Sequence, residues 1–224
     1  MTDFLKQNDL PEMQQSLDLK LNRVYGASSP ESLQKVYSTW ALDYDADLAR
    51  LGYRFPSLAS AVLARYCLNR QTPILDAGAG TGLVGTRLHD LGYRNLTALD
   101  FSEEMLQEAR KRGIYLRIEW GDMEVHLPFD DESFEAVIAV GVFTQGHVSP
   151  AGLDEIQRVC YTEGTIVIPF MENTWEKLGF KEKILELENS EKWKRLEQTP
   201  WAQVMPYSAD HKNELGAVFV WHLN

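Results

Sequence analysis

The chain of 224 residues is predicted to fold as an α/β domain, with a doubly wound, mostly parallel sheet of seven strands under an N-terminal helical cap. Three observations predict this. From residue 73 onward, short apolar runs alternate with amphipathic stretches, as repeated βα units with right-handed crossovers require. Residues 134–140 are apolar along nearly their whole length, which fits a parallel strand covered on both faces. A glycine-rich turn, Gly78-Ala79-Gly80-Thr81-Gly82, joins the first apolar run to the helical stretch after it.

Each element follows from local chemistry. Residues 1–24 are polar and lack sustained periodicity, so they are read as an arm, or a short helix, ahead of a domain at 25–224 whose cap occupies 25–70. Ser29-Pro30-Glu31 starts a helix, with Ser as N-cap and Pro in the first turn. Val36, Tyr37, Trp40 and Tyr44 then share one face, and Gly52 ends the segment. Pro56 opens a second helix. Strands are expected at 73–76, 95–100, 115–119, 134–140 and 165–169. Helices are expected at 82–91, from Ser102 to near Gly113, and from Ser149-Pro150 to near Tyr161. Residues 170–198 are charged and helix-friendly, and the basic run from Lys192 to Arg195 is read as a solvated helix face. Residues 201–205 and 217–222 are expected to close the chain as a hairpin at the sheet edge.

Composition narrows the function. Hydrophobic residues make up 44% and charged residues 25%, which excludes a disordered chain, a fibre or a coiled coil. Against 22 basic residues stand 33 acidic ones, a net charge of −11. Such a surface repels phosphate backbones, so nucleic acid is not an expected partner. Cys67 and Cys160 sit in apolar company without a CxxC pair, so both read as core thiols and no metal is expected. No apolar run approaches ~18 residues, and residues 1–10 show no apolar leader. The expectation is therefore a cytoplasmic protein with no membrane partner.

The turn after the first strand carries the chemistry. Glycines let the backbone turn sharply and let a ligand approach without a Cβ in the way. Counting from Gly78 puts Leu83 where a dinucleotide fingerprint needs its third glycine, which disfavours a nicotinamide-dependent reductase. Asp76 ends the strand, where a carboxylate repels a pyrophosphate and suits an ammonium group. Asp100 ends the second strand and is placed to accept both hydroxyls of a ribose, with Phe101 against the nucleoside. Gly121-Asp122-Met123 follows the third strand, where Asp122 can accept from an exocyclic amine and Met123 can pack on the ring. His147 follows the fourth strand. At its ordinary pKa near 6.5 it is suited to take a proton near neutral pH, although a loop histidine also serves to support structure.

Together these residues resemble the class I S-adenosylmethionine-dependent methyltransferases, with their Rossmann-like sheet. The resemblance extends over roughly residues 25–222 to a methyltransferase-like family first named from the Williams–Beuren syndrome chromosome region. It rests on Val36-Tyr37, Trp40-Ala41, Tyr44-Asp45, the run from Ile74 to Gly82, Gly141 to His147, Trp175, Gly179-Phe180, Leu187 and Trp193. One departure is Thr162-Glu163-Gly164-Thr165, where most relatives carry a Pro-Gly-Gly-like turn.

The resemblance implies S-adenosylmethionine as cofactor, with Asp76 and Gly78 at its methionine part, Asp100 at the ribose and Asp122 and Met123 at the adenine. Ala79, Gly80, Phe101, Met105, Gly121, Val140 and Gly141 join that cofactor set. The helix before the first strand often closes over the cofactor in such enzymes, which brings in Tyr37, Trp40 and Tyr44; these otherwise read as a core stripe. Aromatic rings near a sulfonium add cation–π stabilisation of about 0.5–2 kcal/mol. Phe143 and Glu172 are placed at the substrate pocket. The apolar, aromatic cap points to a small-molecule acceptor and in-line methyl transfer. Two alternatives stay open: an enzyme that uses another carbon of the cofactor and releases methylthioadenosine, and a non-catalytic cofactor-binding module.

Overall fold

The computed structural model describes residues 10–27 and 29–224. Four helices come first: α1 (Leu10–Tyr25), α2 (Pro30–Trp40), α3 (Tyr44–Leu51) and α4 (Phe55–Tyr66). Ser29 and Ser32 form a reciprocal capping box at the start of α2, and Gly52 closes α3 in the left-handed region at φ 73°. The alternating part follows as β1 (Ile74–Ala77), α5 (Leu83–Asp90), β2 (Leu96–Asp100), α6 (Glu103–Lys111), β3 (Arg117–Trp120), β4 (Phe134–Ile138), α7 (Gly152–Val159) and β5 (Cys160–Met171). The chain closes with α8 (Glu172–Lys177), α9 (Phe180–Asn189), β6 (Trp193–Gln198), β7 (Ala202–Gln203) and β8 (Leu215–Leu223).

The strand order is β3-β2-β1-β4-β5-β8-β6, with β7 pairing β8 beside this path. The pairs from β3 through β5 are parallel, whereas β8 runs antiparallel to both β5 and β6. Strand order reverses beside β1, and a doubly wound sheet opens its ligand crevice at such a point. Neighbouring residues of one strand enter different cores. Leu75, Val137 and Ile166 belong to one cluster, and Ile74, Ile138 and Val167 to the other. That is the period-2 signature of strands buried on both faces. Both cysteines are free and buried, as core thiols should be.

Three expectations need correction. Of the two readings of the N-terminal segment the helix holds for residues 10–25, and it lies within the domain instead of ahead of it: α1 buries Leu17, Leu21 and Val24 in the same cluster as Trp40, Leu48 and Leu51. The intervening residues are polar enough to hide that stripe in sequence. The remainder of the expected arm, residues 1–9, lies outside the described residues. The basic run Lys192–Arg195 is also no helix face. From Trp193 onward it belongs to β6, which pairs with β8 so that Lys194 stands opposite His222 and Arg195 opposite Trp221. An edge strand carries charge on its exposed positions, and this one offers little apolar alternation to read. The expected 201–205 strand shrinks to the two-residue β7.

Leu17→Ala separates the two readings of the N-terminal segment. In a packed helix it is expected to cost about 2–4 kcal/mol of stability, against less than about 0.5 kcal/mol in a solvated arm. Urea unfolding measures the difference.

Candidate functional site

A cavity of about 400 Å³ opens at the carboxyl ends of β1, β2 and β4. Its floor is the glycine turn. Gly78 and Gly80 hold φ of 74° and 55°, where a side chain is strained. A Cβ on Gly78 would stand 2.1 Å from Val142 Cγ2, whereas one on Gly80 would meet only open space. The backbone N–H groups of Gly78 and Ala79 donate to the Leu99 carbonyl at 2.7 and 2.9 Å, which pins the turn to β2.

Two carboxylates organise this floor. The Gly80 and Ser102 amides donate to opposite oxygens of Asp100 at 2.8 and 2.9 Å. The Gly85 amide and the Tyr115 hydroxyl both donate to Asp76 Oδ2, at 3.1 and 2.6 Å. Asp76 Oδ1 is buried and has no hydrogen-bond partner. Burial pushes the Asp76 carboxyl up to about 7 and the Asp100 carboxyl up to about 6, against the hydrogen bonds that pull them down.

The lid is formed by α2 and α3. Tyr37 meets Tyr44 and Phe101 edge-on at 6.0 and 6.3 Å between ring centres. A clasp ties α3 to the glycine turn. Arg112 donates to the Asp45 carboxylate, the Thr81 carbonyl and the Thr86 hydroxyl, and Thr81 donates its own hydroxyl to Asp45.

His147 is built differently from the free base that its position suggests. Its Nδ1 lies 2.9 Å from the Gln145 carbonyl, which can only accept, so Nδ1 carries the proton. Nε2 therefore accepts from the Tyr37 hydroxyl at 2.7 Å. Burial lowers the imidazole's pKa below its ordinary value, so the ring is neutral at neutral pH. Its lone pair is spoken for by the lid.

The structure gathers most of the expected residues. Tyr37, Tyr44, Gly78, Gly80, Asp100 and Phe101 line the cavity, as do Met105, Gly121, Asp122, Met123, Val140, Gly141 and His147. Asp76 and Ala79 are buried and lie outside this lining. Trp40 is also buried, its Nε1 donating to Asp47 Oδ2 at 2.8 Å; it lines a smaller second cavity together with Phe143. Glu172 does not reach the site: it is exposed as the first residue of α8 and lines neither cavity. A strand-end position put it near the crevice, but the immediate turn into α8 carries it outward.

Sequence reasoning missed Tyr115, Arg112, Tyr25 and Tyr53. Tyr115 was expected inside a strand, yet β3 begins two residues later and leaves its hydroxyl free to reach Asp76. Nothing local marks the others, because each acts across a gap in sequence.

A family model for a methyltransferase domain matches residues 74–164, which holds the turn and both carboxylates. Methyltransferase-like protein 27 of Homo sapiens is 35% identical over 152 residues, 61% of this chain and 60% of that protein. Demethylmenaquinone methyltransferase of Clavibacter sepedonicus is 43% identical over 99 residues, 42% of this chain and 39% of that protein. The chain thus spans less than two thirds of either relative. The solved TehB-like SAM-dependent methyltransferase of Corynebacterium glutamicum shares the fold, with a TM-score of 0.61 at 20% identity over 85% of this chain and 100% of that one.

The match places a methyltransferase domain at residues 74–164, on a sheet with the fold of the class I S-adenosylmethionine-dependent methyltransferases. S-adenosylmethionine is the cofactor named for solved methyltransferases that share this fold. Among the described residues, no helix is long and apolar enough to cross a membrane.

The raised carboxyls of the methyltransferase domain have a consequence for stability. Folding favours their protonated forms, so their contribution is fully present below the ordinary value of 3.8 and is lost as pH rises through about 6 and about 7. Without ligand, the urea midpoint is expected to rise as pH falls from about 8 to about 5, and Asp76→Asn is expected to flatten that rise. An Asp76→Asn profile parallel to that of the unsubstituted protein contradicts the assignment.

Proposed function

We propose that the chain transfers a methyl group from S-adenosylmethionine to a small-molecule acceptor and releases S-adenosylhomocysteine. The observation that carries this reading is the unpartnered Asp76 Oδ1 beneath the glycine turn. A buried carboxylate oxygen without a donor is costly, and an ammonium group supplies the missing donor together with a countercharge. The residues present therefore fit the amino-acid part of the cofactor. Asp100 lines the cavity and keeps a free lone pair on each oxygen, suited to two ribose hydroxyls. The open space over Gly80 leaves room for the chain between them. Asp122, Met105 and Met123 line the part of the cavity assigned to the adenine.

When bound, S-adenosylmethionine supplies an electrophilic methyl group on a sulfonium. The chain's own residues align the partners and exclude water. Tyr37 and Tyr44 close over the space from the lid. Tyr37 and His147 together form a path by which a proton can leave the acceptor toward Nε2, so His147 acts through Tyr37 and not by direct contact.

Two measurements test the reading. Asp76 must be ionised to hold an ammonium, so affinity for S-adenosylhomocysteine is expected to fall as pH drops below about 7, by up to about tenfold per pH unit. Calorimetry across that range checks the slope, and a flat profile contradicts the role given to Asp76. Product analysis by mass spectrometry is expected to find S-adenosylhomocysteine. Methylthioadenosine instead would indicate attack on another carbon of the cofactor.

A further inference from the structure

Beside the large cavity lies a smaller one of about 50 Å³. The two share Tyr37, Tyr44, Gly141 and His147 as wall residues, so they adjoin where the lid meets the end of β4. At roughly 10–15 Å³ for each water-sized sphere, the smaller one has room for about three to five heavy atoms. Its wall is unlike the rest of the site. Tyr25, Tyr37, Tyr44, Tyr53, Trp40 and Phe143 converge on it, and among the described residues no Asp, Glu, Lys or Arg lines it. The Tyr37 hydroxyl is bonded to His147, whereas those of Tyr25, Tyr44 and Tyr53 have no hydrogen-bond partner among the described residues. Burial raises all four hydroxyls above the ordinary tyrosine value, so the wall stays uncharged.

We propose that this cavity receives the acceptor's reacting group and that the group is a small amine, which makes the chain an N-methyltransferase; this rests on the methyl-transfer reading above. Three physical arguments support it. A carboxylate, phosphate or thiolate finds no countercharge in this wall and is expensive to bury unpaired. Aromatic faces attract a cation, and an amine's nitrogen carries growing positive charge as it is methylated, whereas O-methylation of a carboxylate discharges the acceptor. The space also fits a compact head group and not a ring system.

The proton balance closes within the chain. An amine with a free lone pair forms the N–C bond as the C–S bond breaks, and the sulfur keeps the electron pair of the broken bond. The proton lost from nitrogen bonds to the Tyr37 oxygen while the Tyr37 proton passes to His147 Nε2. The resulting imidazolium keeps its Nδ1–H on the Gln145 carbonyl.

The test uses the full chain saturated with S-adenosylhomocysteine and three compact probes: tetramethylammonium, tert-butanol and acetate. Ligand-observed NMR is expected to show tetramethylammonium binding about tenfold tighter than tert-butanol, with acetate weakest. Tyr53→Leu is expected to remove the preference and Tyr53→Phe, which keeps the ring, to retain it; S-adenosylhomocysteine affinity reports that both variants are folded. Equal binding of tetramethylammonium and tert-butanol, or a preference for acetate, overturns the amine assignment and leaves the methyl-transfer reading standing. No binding of S-adenosylhomocysteine to the unsubstituted chain overturns both.

Discussion

Two carboxylates held out of water at the ends of adjacent parallel strands constrain almost everything around them. Asp76 on β1 and Asp100 on β2 are both nearly inaccessible, and an unpaired charge in such a place is costly. The chain answers with backbone amides. For the Gly80 amide to point at Asp100, the turn must pass through positive φ, and that is why glycines stand at 78 and 80. Gly85 is held by a different need. A Cβ there would stand 2.1 Å from the Tyr115 hydroxyl, which is the strongest donor to Asp76. The turn, the start of α5 and the residue before β3 are thus parts of one arrangement that keeps two acids buried.

The lid depends on the same floor. Arg112, just past α6, reaches Asp45, Thr81 and Thr86 together, so α3 is fastened to the turn that carries the glycines. Its guanidinium fork satisfies three acceptors in one geometry, which a lysine could not do. On the far side, Tyr37 fastens α2 to the loop after β4 through His147. The lid is therefore attached at both ends of the cavity by hydrogen bonds, with α1 packed behind it as a support. A change in the turn or in the loop after β4 reaches the lid directly.

His147 shows how the fold sets the chemistry of a residue that sequence can only place. Its place after the fourth strand does put it on the cavity wall. Being there, it is buried, and burial favours the neutral ring. Its Nδ1–H donates to the Gln145 carbonyl, and its Nε2 lone pair accepts from the Tyr37 hydroxyl. The residue thus ties the lid to the loop, with Tyr37 beside it on the cavity wall.

Read alone, the residues determined the parallel sheet, the glycine turn and the three acids, because each is written in local patterns: alternating apolar runs, helix caps, and an acid at the end of a strand. Spacing marked the aromatics of the cap only as one stripe, and the fold splits that stripe between α2, which carries Tyr37 and Trp40, and α3, which begins at Tyr44. Tertiary structure decided what no local pattern records. It folded α1 into the core, where a sparse stripe of Leu17, Leu21 and Val24 meets partners from α2 and α3. It made Trp193–Gln198 a strand by offering β8 as a neighbour, since edge-strand pairing is a property of two segments and not of one. It turned Glu172 outward, and it brought Tyr25, Tyr37, Tyr44 and Tyr53 around one small space. Short-range sterics and capping act within a few residues, so they are legible in order along the chain. The contacts that complete this site join residues as far apart as Asp45 and Arg112, and only the packed fold brings them together.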